Sequence, residues 1–184
     1  MRIENIIKRI LREEQEEEKI LKIPGIRFFN NDWNILQKFL ESQGNPRYSI
    51  GGDLNLRDSD IKTLGNLVRV EGDLDLSESD IKSLGNLEYV GGWLNLNGTN
   101  VKSLGNLVRV EGNLRLQLCK NLQSLGDLEY VGGWLDLAFC QNLESLGNLK
   151  YVGGVLDLVH TPLSEKYTED DIRKMVKVVG VIDM

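Results

Sequence analysis

With 184 residues, 41% of them apolar and 27% charged, the chain is long enough for one domain with a buried core and too short for two comfortable ones. A net charge of −6 excludes nucleic acid as the expected main partner, because phosphate recognition needs clustered Lys and Arg. No apolar run reaches bilayer length, no secretory leader opens the chain, and two cysteines make no disulfide framework, so a cytoplasmic protein in a reducing compartment is expected.

The first 50 residues read as a helical N-terminal cap. Ile3, Ile6, Ile7, Ile10 and Leu11 follow the spacing of a helical apolar stripe, and the acidic run from Glu13 to Glu18 continues it as a solvated helix that Pro24 and Gly25 end. This helix has three readings. It packs on the rest of the chain, it associates with itself or a partner through residues 1–22, or it lies on a membrane surface. Arg2, Lys8, Arg9 and Arg12 support the membrane reading and the glutamates oppose it. A second helix is expected to start from Asn31 or Asp32, to carry Trp33, Leu36, Phe39 and Leu40, and to stop at Gly44 and Pro46.

From Gly51 to Val152 the chain repeats itself five times, and a sixth, truncated copy starts at Gly153. A period this short cannot close a core alone, so the copies must stack into a solenoid, here taken as residues 51–163. Leu94 and Leu96 in the third copy have period two and read as a short strand with both leucines inward. The same pair recurs as Leu54/Leu56, Leu74/Leu76, Leu114/Leu116, Leu135/Leu137 and Leu156/Leu158, which predicts a parallel sheet along one side of the solenoid. Leu104 and Leu107 supply the inward return, with Gly105 allowing a positive-φ turn. Ser59, Ser79, Thr99, Cys119, Cys140 and Thr161 share one slot and are expected to bond the backbone of the neighbouring coil. The ladders Asp60, Asp80, Asn100, Asn121, Asn142 and Asn66, Asn86, Asn106, Asp127, Asn148 read as Asx bonds to turn backbone.

These positions resemble the leucine-rich repeat. Leu94, Leu96, Thr99 and Val101 match the second half of its pattern, and Leu104 and Leu107 follow as its Leu-x-x-Leu. The likeness covers about 110 residues. It departs at the first Leu of the pattern, where Gly51, Glu71, Gly91, Glu111, Gly132 and Gly153 stand. The recurring Val-Gly-Gly-x-Leu-x-Leu phrase is also similar to the L domains of receptor ectodomains. The expected fold class is therefore a β-rich solenoid, a leucine-rich-repeat-like parallel sheet with helical caps at both ends. Repeats of this length leave no room for a full helix on the return side. Residues 164–184 are expected to form the C-terminal capping helix, opened by a capping box from Thr168 to Asp171 and carrying Ile172, Met175, Val176 and Val179.

Catalytic signals are nearly absent, so no enzyme and no cofactor is expected. His160 is the only histidine, and no metal spacing, phosphate loop or nucleophile elbow accompanies it. Cys119 and Cys140 occupy one slot in adjacent copies, within disulfide reach, and read better as inward thiols. The outward strand residues are more informative. Trp93 and Trp134 stand two copies apart in one column, about 9–10 Å, with Asn113 between them. Beside them run Asp75, Asn95, Arg115, Asp136 and Asp157. Large aromatics dominate interface energetics, so this set is the expected binding surface for a protein, with the aspartates favouring a basic partner. The alternatives are a structural component assembled through its N-terminal helix and a glycan binder using the Trp platform. Tyr89, Tyr130 and Tyr151 form a second column that alternates with Arg69 and Arg109.

Overall fold

The computed structural model describes residues 20–184, and the stripe from Ile3 to Leu11 with its acidic extension lies outside them. Within them the repeat folds as a parallel β-solenoid. Leu54, Leu74, Leu94 and Leu114 stand in direct register, one per coil. Each inward leucine donates its N–H to the following coil: Leu54 to the Asp73 carbonyl at 2.8 Å, Leu74 to Trp93 at 2.9 Å, Leu94 to Asn113 at 2.9 Å. The step lengthens by one residue from Leu114 to Leu135 and from Leu135 to Leu156, because Lys120 and Gln141 are added in the turn after the strand.

Two sheets line the solenoid where the sequence pattern suggested one. The seven-stranded sheet holds the predicted Leu-x-Leu pairs, from Leu54–Asn55 to Leu156–Asp157, and ends with Ile182–Asp183. The eight-stranded sheet comes from the segments just before the Gly-Gly or Glu-Gly corner, including Leu67–Val70, Tyr89–Val90, Arg109–Val110, Tyr130–Val131 and Tyr151–Val152. At the end of each segment Val70, Val90, Val110, Val131 and Val152 are buried and the residue before each is directed outward. The corner needs glycine on physical grounds: a Cβ on Gly91 would collide with the Glu71 carbonyl of the coil beneath. The return side holds turns and isolated bridges, such as Ser103 to Ser124, and no helix. Gly105 takes φ 59° there, as the turn requires.

The core is continuous along the stack. Leu94, Leu96, Val101, Leu104, Leu107 and Val110 are all fully buried, and the equivalent residues of the neighbouring coils close on them. The six-residue slot behaves differently from the expectation. Its hydroxyls bond within their own coil, Ser79 Oγ to the Leu76 carbonyl at 2.6 Å and Thr99 Oγ1 to Leu96 at 2.7 Å. Only the thiols cross to the preceding coil, Cys119 Sγ to the Leu96 carbonyl at 3.0 Å and Cys140 Sγ to Leu116 at 3.1 Å. Both cysteines are free and buried, and burial pushes the Cys140 thiol up to about 12.

At the N-terminal end, helix α1 (Trp33–Ser42) starts from Asp32, whose Oδ1 accepts from Asn34 N at 2.8 Å. Trp33, Leu36 and Leu40 bury against the first coil, while Phe39 sits at the rim against Phe29. Residues 21–23 are not helical as expected: Leu21–Ile23 is a strand that pairs in parallel with Tyr48–Ile50 and begins the eight-stranded sheet. At the other end, α2 (Pro162–Lys166) and α3 (Glu169–Met175) replace the return of one coil. The capping box is present, with Thr168 Oγ1 accepting from Asp171 N and the Asp171 carboxylate accepting from Thr168 N. Ile172 and Val176 close the core, and Lys177–Val178 and Ile182–Asp183 then add one strand to each sheet. No helix among the described residues is long and apolar enough to cross a membrane.

Candidate functional site

The outward positions of the seven-stranded sheet form two parallel columns with different duties. The first column runs Asp53, Asp73, Trp93, Asn113, Trp134, Val155 and Val181. Where it carries Asp or Asn, the side chain holds the next coil: Asp53 Oδ1 accepts from Asp73 N at 2.9 Å, Asp73 Oδ1 from Trp93 N at 2.9 Å, and Asn113 Oδ1 from Trp134 N at 2.8 Å. An indole has no acceptor for this bond. Trp93 and Trp134 therefore stand where the repeat's own backbone is better served by Asp or Asn. Trp93 is 37% exposed and Trp134 61%. The Trp134 ring leans across Gly154, where a Cβ would strike its Cδ1, so a glycine in the following coil gives the indole its resting place.

The second column is Asn55, Asp75, Asn95, Arg115, Asp136 and Asp157, two residues further along each strand. Most of these side chains close an Asx turn on their own strand end. Asp75 Oδ1 accepts from Ser77 N at 3.0 Å, Asn95 from Asn97 N at 3.2 Å, Asp136 from Ala138 N at 3.1 Å, and Asp157 from Val159 N at 2.9 Å. Arg115 cannot do so, and Gln117 N turns instead to Asn97 Oδ1 of the preceding coil at 2.9 Å. All five expected residues of this column thus share one surface with the two tryptophans. Burial raises the Asp136 carboxyl above its usual range, the neighbouring Asp157 adds to the rise, and the Ala138 N–H and Arg115 oppose it. None of the ion pairs among the described residues involves Asp75, Asp136 or Asp157.

A third column flanks the face and was not read from the sequence. Asp58, Glu78, Gly98, Leu118, Phe139 and His160 occupy one turn position, and every one has a positive φ, from 53° at Asp58 to 72° at Gly98. A left-handed backbone costs an L-residue about 1–2 kcal/mol, so glycine is the residue this turn favours. Leu118 and Phe139 hold it with large apolar side chains that are 47% and 37% exposed. Phe139 also meets the His160 ring, centroids 4.7 Å apart. The available signal was the break in a polar column at the two copies with an added residue.

On the eight-stranded sheet, the tyrosines and arginines satisfy one another. The Arg69 guanidinium lies 3.6 Å from the Tyr89 ring centroid, Arg109 lies 3.5 Å from Tyr130, and Tyr130 stacks on Tyr151 at 4.9 Å. Arg109 Nε also donates to Glu111 Oε1 at 2.6 Å, which lowers the Glu111 carboxyl below its usual range and raises the arginine. The rings face their neighbours in the column and not outward. This column knits coils together.

No known family model, curated protein or solved structure matches the chain.

Proposed function

We propose that the chain is a non-enzymatic, leucine-rich-repeat-like interaction module that binds a protein partner through the outward face of the seven-stranded sheet. One observation carries the reading: Trp134, with Trp93 on the same column, is exposed at a position where the fold gains more from an Asx side chain. Rigid, half-desolvated aromatics on a stacked sheet are the residues that dominate interface energies, and no ordering cost falls on the backbone beneath them. The carboxylates of Asp75, Asp136 and Asp157, none of which forms an ion pair among the described residues, favour a partner with basic residues.

The test compares affinity capture by the wild type and by a Trp93→Ala/Trp134→Ala double variant, with mass spectrometry of what each retains. The double variant, still folded by circular dichroism, is expected to lose the wild-type partner. Equal recovery of that partner by both proteins would remove this face as the binding surface.

A further inference from the structure

Two departures from the repeat and one pair of its carboxylates converge on one part of the seven-stranded face. Trp134 displaces an Asx from the first column, Leu118 and Phe139 replace glycine or a polar residue in the left-handed column, and Asp136 and Asp157 lie between them. In the coil from Trp134 to Phe139 the order across the strand is indole, carboxylate, phenyl, with indole and carboxylate about 7 Å apart along the strand. The adjacent coils extend each kind: Val155 continues the indole column, Asp157 the carboxylate, and Leu118 the apolar ridge.

We propose that this surface seats an extended peptide segment with a lysine or arginine between apolar residues, the cation lying on Asp136 and Asp157 beside the Trp134 indole and an apolar neighbour lying on Leu118 and Phe139. The proposal rests on the interaction-module reading and names its partner's chemistry. Charge complementarity argues for the cation. Asp136 and Asp157 are half-buried, adjacent and like-charged, each keeps one oxygen beyond its Asx bond, and among the described residues the neighbouring cation of the column, Arg115, forms no ion pair with either. A ligand cation relieves that repulsion and gains the face of the indole besides. Backbone strain argues for the ridge. Leu118 and Phe139 hold large, partly exposed apolar side chains at left-handed positions where glycine is less strained, with the Phe139 ring steadied by His160.

Four Ser-rich peptides carrying a central Leu-Lys-Leu, Leu-Arg-Leu, Leu-Glu-Leu or Leu-Ser-Leu, titrated calorimetrically into the full chain, separate the outcomes. The Lys and Arg peptides are expected to bind at least about tenfold tighter than the Glu peptide, with the difference shrinking as salt rises. Asp136→Asn with Asp157→Asn keeps both Asx bonds and is expected to bring the Lys peptide to the affinity of the Ser peptide. Leu118→Gly and Phe139→Gly are expected to weaken all the peptides that bind, and Leu118→Gly to do so while leaving the melting temperature unchanged or higher, which a merely structural ridge would not allow. Similar affinities for the Lys and Glu peptides, or no binding by any of the four, overturns the proposal. So does an oligosaccharide of stacking sugars binding in a Trp134-dependent way where the peptides do not. The broader reading fails separately. If the double Trp variant loses its captured partner and the double Asn variant keeps it, the module stands and the cationic segment falls.

Discussion

The two sheets use the same kinds of residue to opposite ends. On the eight-stranded sheet each outward arginine lies against a tyrosine of the next coil and pairs with the glutamate two residues along its own strand, and Tyr130 stacks on Tyr151. On the seven-stranded sheet aromatics and carboxylates recur, yet among the described residues its two outward columns carry no cation apart from Arg115. Stacked coils place every outward residue about 4.8 Å from its equivalent, so a column either satisfies itself or presents one chemistry repeatedly to the outside. The first sheet does the former. The face around Trp134 does the latter.

Both faces rest on one core, and truncating it should defeat them together. Leu135→Ala, at a fully buried strand position between Trp134 and Asp136, is expected to cost about 2–5 kcal/mol in urea unfolding. A loss below about 1 kcal/mol would mean that the stack relaxes around cavities and that neither face is rigid. The sharpest contrast lies four residues apart in one coil. Tyr130→Ala removes the ring held between Arg109 and Tyr151 and is expected to destabilise by about 1–3 kcal/mol, whereas Trp134→Ala is expected to change stability by less than about 1 kcal/mol. Equal losses would erase the distinction between a knitting column and a presenting one.

A smaller effect concerns the carboxylates. The folded protein raises the Asp136 pKa, so it binds that proton more readily than the unfolded chain does. The associated stabilisation is complete below the unfolded value and is lost as pH rises through the folded one. Asp136→Asn, which retains an oxygen for Ala138 N–H, is therefore expected to be more stable than wild type near pH 7, with the gain shrinking as pH falls toward the carboxylate range of about 4. A pH-independent difference would place the effect elsewhere than in this charge. The smallest expected signal is chemical. Cys119 and Cys140, buried with raised pKa values, should react with a disulfide reagent only after unfolding, as a thiol assay with and without denaturant would read.

Much of this was legible because a solenoid converts sequence period directly into spatial stacking. Leu94 and Leu96, Gly105, the Asp32 cap of α1 and the Thr168–Asp171 box all act as their local chemistry requires. The second sheet was legible in principle, since Val70 and Val90 alternate with Arg69 and Tyr89, but strands of two to four residues carry too short a pattern to be told from a turn. The strand at Leu21–Ile23 was hidden for a different reason. It pairs with Tyr48–Ile50 across α1, and nothing local distinguishes a strand partner from the end of a preceding helix. The inward direction of Cys119 and Cys140 follows from the repeat, while the carbonyls they bond belong to the preceding coil and depend on how the coils stack.

The sequence by itself determined the coil, its register and the residues that fill the interior, because a 20- or 21-residue period leaves stacking as the only way to bury those leucines. It also singled out Trp93 and Trp134 as departures from the repeat. Only the tertiary structure decided that these indoles are exposed, that Asp136 and Asp157 spend one oxygen each on their own backbone, and that Leu118 and Phe139 flank them in a left-handed turn. Exposure and φ at a given position depend on the coils above and below it, and no single copy of the repeat contains that information.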